Sequence, residues 1–202
     1  MMLLDKLQSY RVVLASKSPR RKALLAGLGL NFEIFQSDEP EIVRPEWSPE
    51  EVVRQLSCQK ASHVFSQLSA SDPQFPLLVI GGDTIVVSEG RILGKPANRD
   101  EACQMLCSLS GKTHVVHSGL CLMTASGFSC ESDTAEVTFD RLENEEIYYY
   151  IDHFHPFDKA GSYGVQEWIG YRAISCLKGS FYTVMGLPTH LLWKMLVNMA
   201  GL

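Results

Sequence analysis

Apolar residues along this chain follow two rhythms, short unbroken runs and stretches spaced at three and four, which are the signatures of buried strands and amphipathic helices. Val12 to Ala15 is the first run, and it breaks at Ser16 into hydroxyls and cations. Pro19, preceded by Ser18, predicts a helix start, because proline at the first helical position gives up an N–H that has no partner there and serine caps its neighbours. That helix should fade near Gly27 and Gly29. Asn31 to Gln36 alternates like a strand and delivers Ser37, Asp38 and Glu39 to its end. Ser48-Pro49-Glu50-Glu51 is a capping box with proline at the first position, opening a helix that should run to about Ser69. Its apolar stripe passes through Val52, Val53, Leu56, Val64 and Leu68, and Lys60 stands inside the stripe. Leu77 to Ile80 reads as a buried strand, and the apolar run resumes at Ile85-Val86-Val87 after Gly81-Gly82-Asp83-Thr84.

The second half continues the alternation. Ser88-Glu89-Gly90-Arg91 predicts a hairpin turn, with a return strand ending in Leu93-Gly94-Lys95-Pro96. Asn98 to Glu101 starts a helix with Ala102, Met105, Leu106 and Leu109 inward, stopped at Ser110-Gly111. His114 to Thr124 and Phe128 to Phe139 are long strands joined by Ala125-Ser126-Gly127, and Glu143 to His153 is helical. The Tyr148-Tyr149-Tyr150 run reads as core and surface packing. Strands are expected at Ala173 to Cys176 and Phe181 to Val184, with a closing helix from about Pro188 to Met199. Helices alternating with strands make this an α/β chain.

With 202 residues the chain suits one domain, with room for a lobed shape. Hydrophobic content of 46% and a mean hydropathy near zero describe a globular protein. No run approaches the roughly 20 apolar residues needed to span a bilayer, and Asp5 and Lys6 stand where an export signal would be apolar, so a cytoplasmic protein is expected. The net charge of −5 argues against binding a nucleic-acid polymer, which rests on clustered Lys and Arg. Cations gathered in one small loop of an acidic protein point instead to a small anionic ligand.

Six cysteines are spread without a C-x-x-C pair, which reads as reduced residues mostly in the core. His114 and His117, three apart on a strand, face opposite sides, which argues against a shared metal. The loop from Ser16 to Arg21, at a strand end and a helix start, offers free N–H groups with Lys17, Arg20 and Arg21 crowded around them. It suits phosphate, although an ordinary capped helix with solvated arginines would read the same way. Asp38 and Glu39 read as a solvated turn or as half of a metal site. Lys60 either snorkels to the edge of its stripe or neutralises charge in a site. Asp83, between two apolar segments, needs a cation or donors to meet it, or else caps a turn. Asp158 to Gln166 mixes charge, glycine and an amide more densely than a core segment needs.

Leu-Ala-Ser-Lys-Ser-Pro-Arg-Arg at 14–21, Gly-Gly-Asp-Thr at 81–84, Gly-Lys-Pro at 94–96, Leu-Ser-Gly-Lys-Thr-His at 109–114, Asp-Lys-Ala-Gly-Ser-Tyr-Gly-Val-Gln at 158–166 and Gly-Leu-Pro at 186–188 occur in this order. Together they resemble the Maf family of nucleoside triphosphate pyrophosphatases. The resemblance implies a single domain over residues 1–202, with a fold like the inosine-triphosphate pyrophosphatases: a curved mixed sheet with flanking helices and a cleft between two lobes. Gly82 and Ser162 stand where alanine is common in the family, and His155 where glutamate is usual.

The resemblance also implies roles. Asp83 is the proton acceptor and a metal ligand, Glu39 a second ligand to Mg²⁺ or Mn²⁺, and Lys60 and Lys95 belong to the catalytic shell. Ser16, Arg20 and Arg21 hold the triphosphate, and Arg20, Thr84 and Gln166 match the positions that mark the branch acting on dTTP and UTP. The expected reaction yields a nucleoside monophosphate and pyrophosphate from a small nucleotide, with no membrane or nucleic-acid partner and a homodimer as one option for assembly. The alternatives are the sister branch acting on 7-methyl-GTP and a nucleotide-binding regulator of division without turnover.

Overall fold

Capping chemistry sets the helix starts. The computed structural model describes residues 2–36, 40–69 and 76–201. Ser18 caps a helix at Pro19–Gly27, Ser48 and Glu51 form the two halves of a capping box before Pro49–Leu68, and Asn98 caps Arg99–Leu109. In chain order the elements are α1 (Leu3–Leu7), β1 (Arg11–Leu14), α2 (Pro19–Gly27), β2 (Glu33–Ile34), α3 (Pro49–Leu68), β3 (Leu77–Ser88), β4 (Arg91–Leu93), α4 (Arg99–Leu109), β5 (Thr113–Thr124), β6 (Gly127–Phe139), α5 (Asn144–Phe154), α6 (Trp168–Ala173), β7 (Ile174–Lys178), α7 (Phe181–Met185) and α8 (Thr189–Met199). Two 3₁₀ turns, Pro156–Asp158 and Ala160–Ser162, follow α5.

The sheet is mixed. Its hydrogen-bonding order is β2-β1-β3-β5-β6-β7, with β4 paired to β3. β1 lies parallel to β2 and β3, while β4 on β3 and β7 on β6 are antiparallel. The chain divides into two compact units, Met1–Asp83 with Ser118–Asp133 and Gly186–Leu202, and Thr84–His117 with Thr134–Met185.

β1 and the first-unit parts of β3 and β5 are apolar on both faces, as strands covered on both sides must be. Period-two alternation sorts them: Val13, Ala15, Val79, Cys121 and Met123 join Ala61 and Val64 of α3, while Val12, Leu14, Leu78, Ile80, Leu120 and Leu122 join residues of α1, α2 and α8. Each fully buried Val or Leu contributes about 1.5–3 kcal/mol relative to exposure. Gly81 and Gly119 continue the face turned toward α3, and both are seats for its backbone. A Cβ at Gly81 would meet the Ser57 carbonyl oxygen at 2.2 Å, and one at Gly119 the Val53 carbonyl oxygen at 2.2 Å.

The second unit has its own core, in which Leu106 and Leu109 of α4 and Ile147, Tyr150 and Ile151 of α5 pack with Val116, Val137, Phe139 and Ile169. Tyr148 and Tyr149 are exposed, as a packing role for the tyrosine run implies.

Three expectations change. The two apolar segments around Gly81 to Thr84 are one unbroken strand, β3. The strand expected from Asn31 to Gln36 is only Glu33–Ile34. Phe181 to Val184, aromatic and β-branched enough to suggest a strand, forms α7: the N–H groups of Thr183 and Val184 donate to the Ser180 carbonyl, and only Thr183 of this segment is buried. Helix α6, too short for a periodic signal, was not anticipated. Among the described residues no helix is long and apolar enough to cross a membrane.

Candidate active site

The loop between β1 and α2 is tied together by Arg21. Ser18 Oγ accepts from the Arg21 backbone N–H at 3.4 Å as the helix cap, and Ser16 Oγ accepts from Ser18 N–H and from Arg21 Nη1, each at 3.2 Å. Arg21 Nε donates to the carbonyl of Gly186 at 2.8 Å, which connects the first and last of the sequence blocks. Burial lowers the pKa of this guanidinium from its usual value, and the charge of Asp83 pulls it back up. The first turn of α2 holds no acidic residue, so its N–H groups and positive helix end are not neutralised by their own sequence. Arg20 is half-buried on that turn and Lys17 is exposed.

Asp83 lies three strand positions after Ile80, on the face of β3 already marked by Val79 and Gly81, and is 9% exposed. The glycine seats bring α3 close to that face, and Lys60 is the cation α3 delivers. Its Nζ donates to Asp83 Oδ1 at 2.5 Å and lies 2.8 Å from Glu41 Oε1. Of the two readings open for Lys60, the structure selects charge neutralisation over snorkelling. Glu41 was not anticipated; only its position two residues after Asp38-Glu39 hinted at it. Glu39 itself lies outside the described residues.

The remaining predicted residues belong to the second unit. Thr84 is half-buried and follows Asp83 along β3; Lys95 is exposed beyond β4. Gly94, its neighbour, accepts a 3.0 Å hydrogen bond from Gly161 N–H, so the Gly-Lys-Pro and Asp-Lys-Ala-Gly-Ser-Tyr-Gly blocks meet through their backbones. His114 meets Tyr163 of the latter block, Nε2 to Oη at 2.8 Å, and both are buried. Burial pushes the His114 pKa down to about 4, which makes this a neutral core histidine.

Gln166 follows a braced loop. Lys159, 7% exposed, pairs with Asp158 at 2.9 Å and with Glu167 at 3.1 Å. The Tyr150 hydroxyl donates to Glu167 and accepts from Gly164 N–H at 3.0 Å, and burial with the Glu167 charge raises its pKa. Gln166 is half-buried, and its Oε1 is a buried acceptor with no partner among the described residues. A buried amide oxygen is costly to leave without a donor. Tyr150 and Glu167 were not singled out from sequence, since their roles exist only once α5 and this loop fold together.

The carboxylates of Asp83 and Glu41, gathered around one ammonium, are hard oxygen donors of the kind that hold Mg²⁺ or Mn²⁺. The donor set therefore fits a divalent cation.

All six cysteines are free, and only Cys121 is buried, so the expectation of mostly core thiols holds for that one residue. Nor are they scattered in space: Cys58, Cys121 and Cys130 place their sulfurs within 4.8 Å of one another.

The model of the Maf-like protein family matches residues 11–199. A Porphyromonas gingivalis protein named dTTP/UTP pyrophosphatase is 48% identical over 198 residues, covering 95% of this chain and 96% of its own. Proteins of the same name from Phocaeicola vulgatus and Flavobacterium johnsoniae are 44% and 39% identical, covering 95% and 98% of this chain and 97% and 100% of theirs. A solved nucleoside-triphosphatase / dITP/XTP pyrophosphatase from Mycobacterium abscessus aligns over 95% of this chain and 97% of its own at 13% identity, with a TM-score of 0.41.

Proposed function

The chain belongs to the family of Maf-like proteins, and on that premise we propose that it hydrolyses dTTP and UTP to the nucleoside monophosphate and pyrophosphate with the help of Mg²⁺ or Mn²⁺. The observation that carries this reading is the buried Asp83 carboxylate held by Lys60, in the same unit as the cationic start of α2. Relatives at 39–48% identity over nearly the whole chain bear the name of that reaction.

The reaction forms a bond from water oxygen to the α-phosphorus and breaks the bond from that phosphorus to the bridging oxygen of the β-phosphate. Asp83 takes the proton of the attacking water. A carboxylate is a weak base toward free water; a bound divalent cation supplies the acidified water that makes it adequate, with Asp83 and Glu41 as its holders and Glu39 as a further candidate. Lys60 orients the Asp83 carboxylate and offsets negative charge as it develops. Arg20, Arg21, Ser16 and the first N–H groups of α2 receive the triphosphate, and Lys95 adds a cation to it. Gln166, with Thr84, reads the pyrimidine, since an amide offers one edge both a donor and an acceptor. The reading places the enzyme with the soluble nucleotide pool of the cytoplasm, and six free thiols suit such a reducing compartment.

The test is pyrophosphate release from dTTP, UTP, CTP, GTP, ATP and 7-methyl-GTP with Mg²⁺ or Mn²⁺, run beside Asp83→Asn. Turnover of dTTP and UTP that is lost in the variant while nucleotide binding persists is the expected result. Preference for 7-methyl-GTP would transfer the chain to the sister branch, and binding without turnover across the panel would make it a regulator.

A further inference from the structure

One cluster of chemically active side chains takes no part in the reaction above. Cys58 on α3, Cys121 on β5 and Cys130 on β6 all belong to the first unit. The β5–β6 hairpin turns through Ala125 and Ser126, so Cys121, three residues before Thr124, and Cys130, three after Gly127, stand level across the two strands. α3 sits on this part of the sheet because Gly119, two residues before Cys121 and on the same face, gives its backbone room. The third sulfur, from Cys58, is thereby set over the other two.

We propose that Cys58, Cys121 and Cys130 form a trithiolate site for one thiophilic d¹⁰ cation, Zn²⁺ or Cu⁺, separate from the carboxylate site at Asp83. Among the described residues this is the one group of three His, Cys, Asp or Glu side chains whose ligand atoms gather within 4.8 Å. Three thiolates around one ion at a metal–sulfur distance of about 2.3 Å have sulfur–sulfur edges of about 3.8–4.0 Å. The observed cluster needs to contract by less than about an ångström to reach that, well within side-chain rotation of three cysteines.

The surroundings agree with such a complex. Binding replaces three S–H bonds by three metal–sulfur bonds and releases three protons, which leaves the complex at −1 with a divalent ion and −2 with a monovalent one. Arg54, one helical turn before Cys58, places its positive charge within electrostatic reach of Cys130, with Glu131 opposing it. Val13, Ala61, Val64 and Val79 surround the cluster with apolar groups that offer no ligand atom, while Cys58 and Cys130 remain half-exposed and leave an entry path. With no fourth His, Cys, Asp or Glu in the group, the ion is either three-coordinate, which suits Cu⁺, or holds solvent at an open fourth position, which suits Zn²⁺. Soft sulfur selects against the Mg²⁺ or Mn²⁺ expected at Asp83, so the two sites sort their ions by donor type.

The experiment titrates the reduced full-length protein, prepared with a non-thiol reductant, with Zn²⁺, with Cu⁺ and with Cd²⁺ as a spectroscopic reporter. Expected are one equivalent of ion per chain, a sulfur-to-metal charge-transfer band with Cd²⁺, release of protons into weak buffer, and protection of three thiols from alkylation, all unaffected by millimolar Mg²⁺. The tighter of Zn²⁺ and Cu⁺ identifies the occupant. Cys130→Ser, at a half-exposed position where folding is not at stake, should weaken uptake by at least about a hundredfold, at or beyond the upper end of what an outer-shell change costs. Cys103→Ser, which removes one of the two α4 thiols whose sulfurs lie 4.0 Å apart, should leave uptake unchanged. Absence of stoichiometric uptake, uptake that survives Cys130→Ser in a folded protein, or uptake that follows Cys103 would overturn the site. So would a disulfide among the three cysteines that, once reduced, yields a protein unable to bind the ion.

Discussion

Lys60 Nζ lies 2.5 Å from Asp83 Oδ1, and the contact depends on glycine two residues before the aspartate. Gly81 shares the face of β3 with Asp83 and lets the carbonyl of Ser57 come where a Cβ would stand. The helix that carries Lys60 can then lie close enough for its ammonium to reach the carboxylate. The first glycine of the sequence block is thus a packing device.

Gly81→Ala should therefore damage both stability and catalysis. A Cβ at 2.2 Å from a backbone oxygen cannot be relieved by a side-chain rotation, so α3 must shift. Overpacking of this kind costs typically about 1–3 kcal/mol and more where backbone must move. Urea denaturation should show a loss of at least about 3 kcal/mol, and the surviving folded protein should turn over more slowly because Lys60 moves with its helix. Wild-type stability in this variant would mean that α3 does not sit on Gly81.

Removing the cation itself tests the other side of the pair. In Lys60→Met the Asp83 carboxylate, 9% exposed, loses its ion-pair partner and faces Glu41 with like charge. Fully buried pairs lose about 3–5 kcal/mol when one partner is removed; with the Lys60 side chain 19% exposed, about 2 kcal/mol is expected. Mn²⁺ should raise the melting temperature of this variant more than that of the wild type, because it replaces the missing positive charge. Equal Mn²⁺ shifts in the two proteins would remove Asp83 and Glu41 from the metal site.

How much of this was legible in the sequence varies with the range of the interaction involved. Ser18, Ser48 and Asn98 act within their own turns, so the starts of α2, α3 and α4 could be read directly. Asp83 could be marked because an aspartate inside an apolar run demands a partner, and Lys60 because a lysine inside an apolar stripe is out of place. That the two answer each other needed the glycine seats, which join residues far apart in the chain. Glu41 carried no local anomaly, and the segment 181–184 carried a misleading one, since aromatic and β-branched residues outside a sheet have no strand to pair with. The three cysteines are 58, 121 and 130 in a chain without C-x-x-C spacing, and only the β5–β6 turn and the seating of α3 bring their sulfurs together.

Gln166→Ala should separate base reading from phosphate chemistry. The amide oxygen is buried without a donor among the described residues, and the residue beside it, Glu167, is fixed by Lys159 and by the Tyr150 hydroxyl. Loss of the amide should lower kcat/KM for dTTP and UTP by about tenfold to a hundredfold while leaving the weaker turnover of purine nucleotides within about twofold, since a site built to hydrogen-bond one edge discriminates through groups left unpaired. Equal losses on every nucleotide would assign Gln166 to the phosphate chemistry or to the fold. Tyr150→Phe should reproduce part of the same loss of discrimination, because it frees Glu167 from one of its partners without touching the amide.

His114 gives the fold a pH dependence of its own. Buried beside Phe139 and bonded to Tyr163, it takes up a proton only near pH 4 in the folded chain, whereas an unfolded histidine does so near 6.5. Between those values the unfolded chain binds the extra proton and the folded chain does not, so stability falls as pH drops from about 6.5 to about 4 and is at its full value above 6.5. The slope from this one residue is at most about 1.4 kcal/mol per pH unit, or about 3 kcal/mol across the window. His114→Gln keeps a polar group within reach of the Tyr163 hydroxyl but does not titrate there. Urea midpoints measured at several pH values should fall more steeply for the wild type than for His114→Gln between pH 6.5 and 4, and the two curves should run parallel above pH 7. Parallel curves throughout would mean that His114 titrates alike in the folded and unfolded chains and that its burial beside Tyr163 does not hold it neutral.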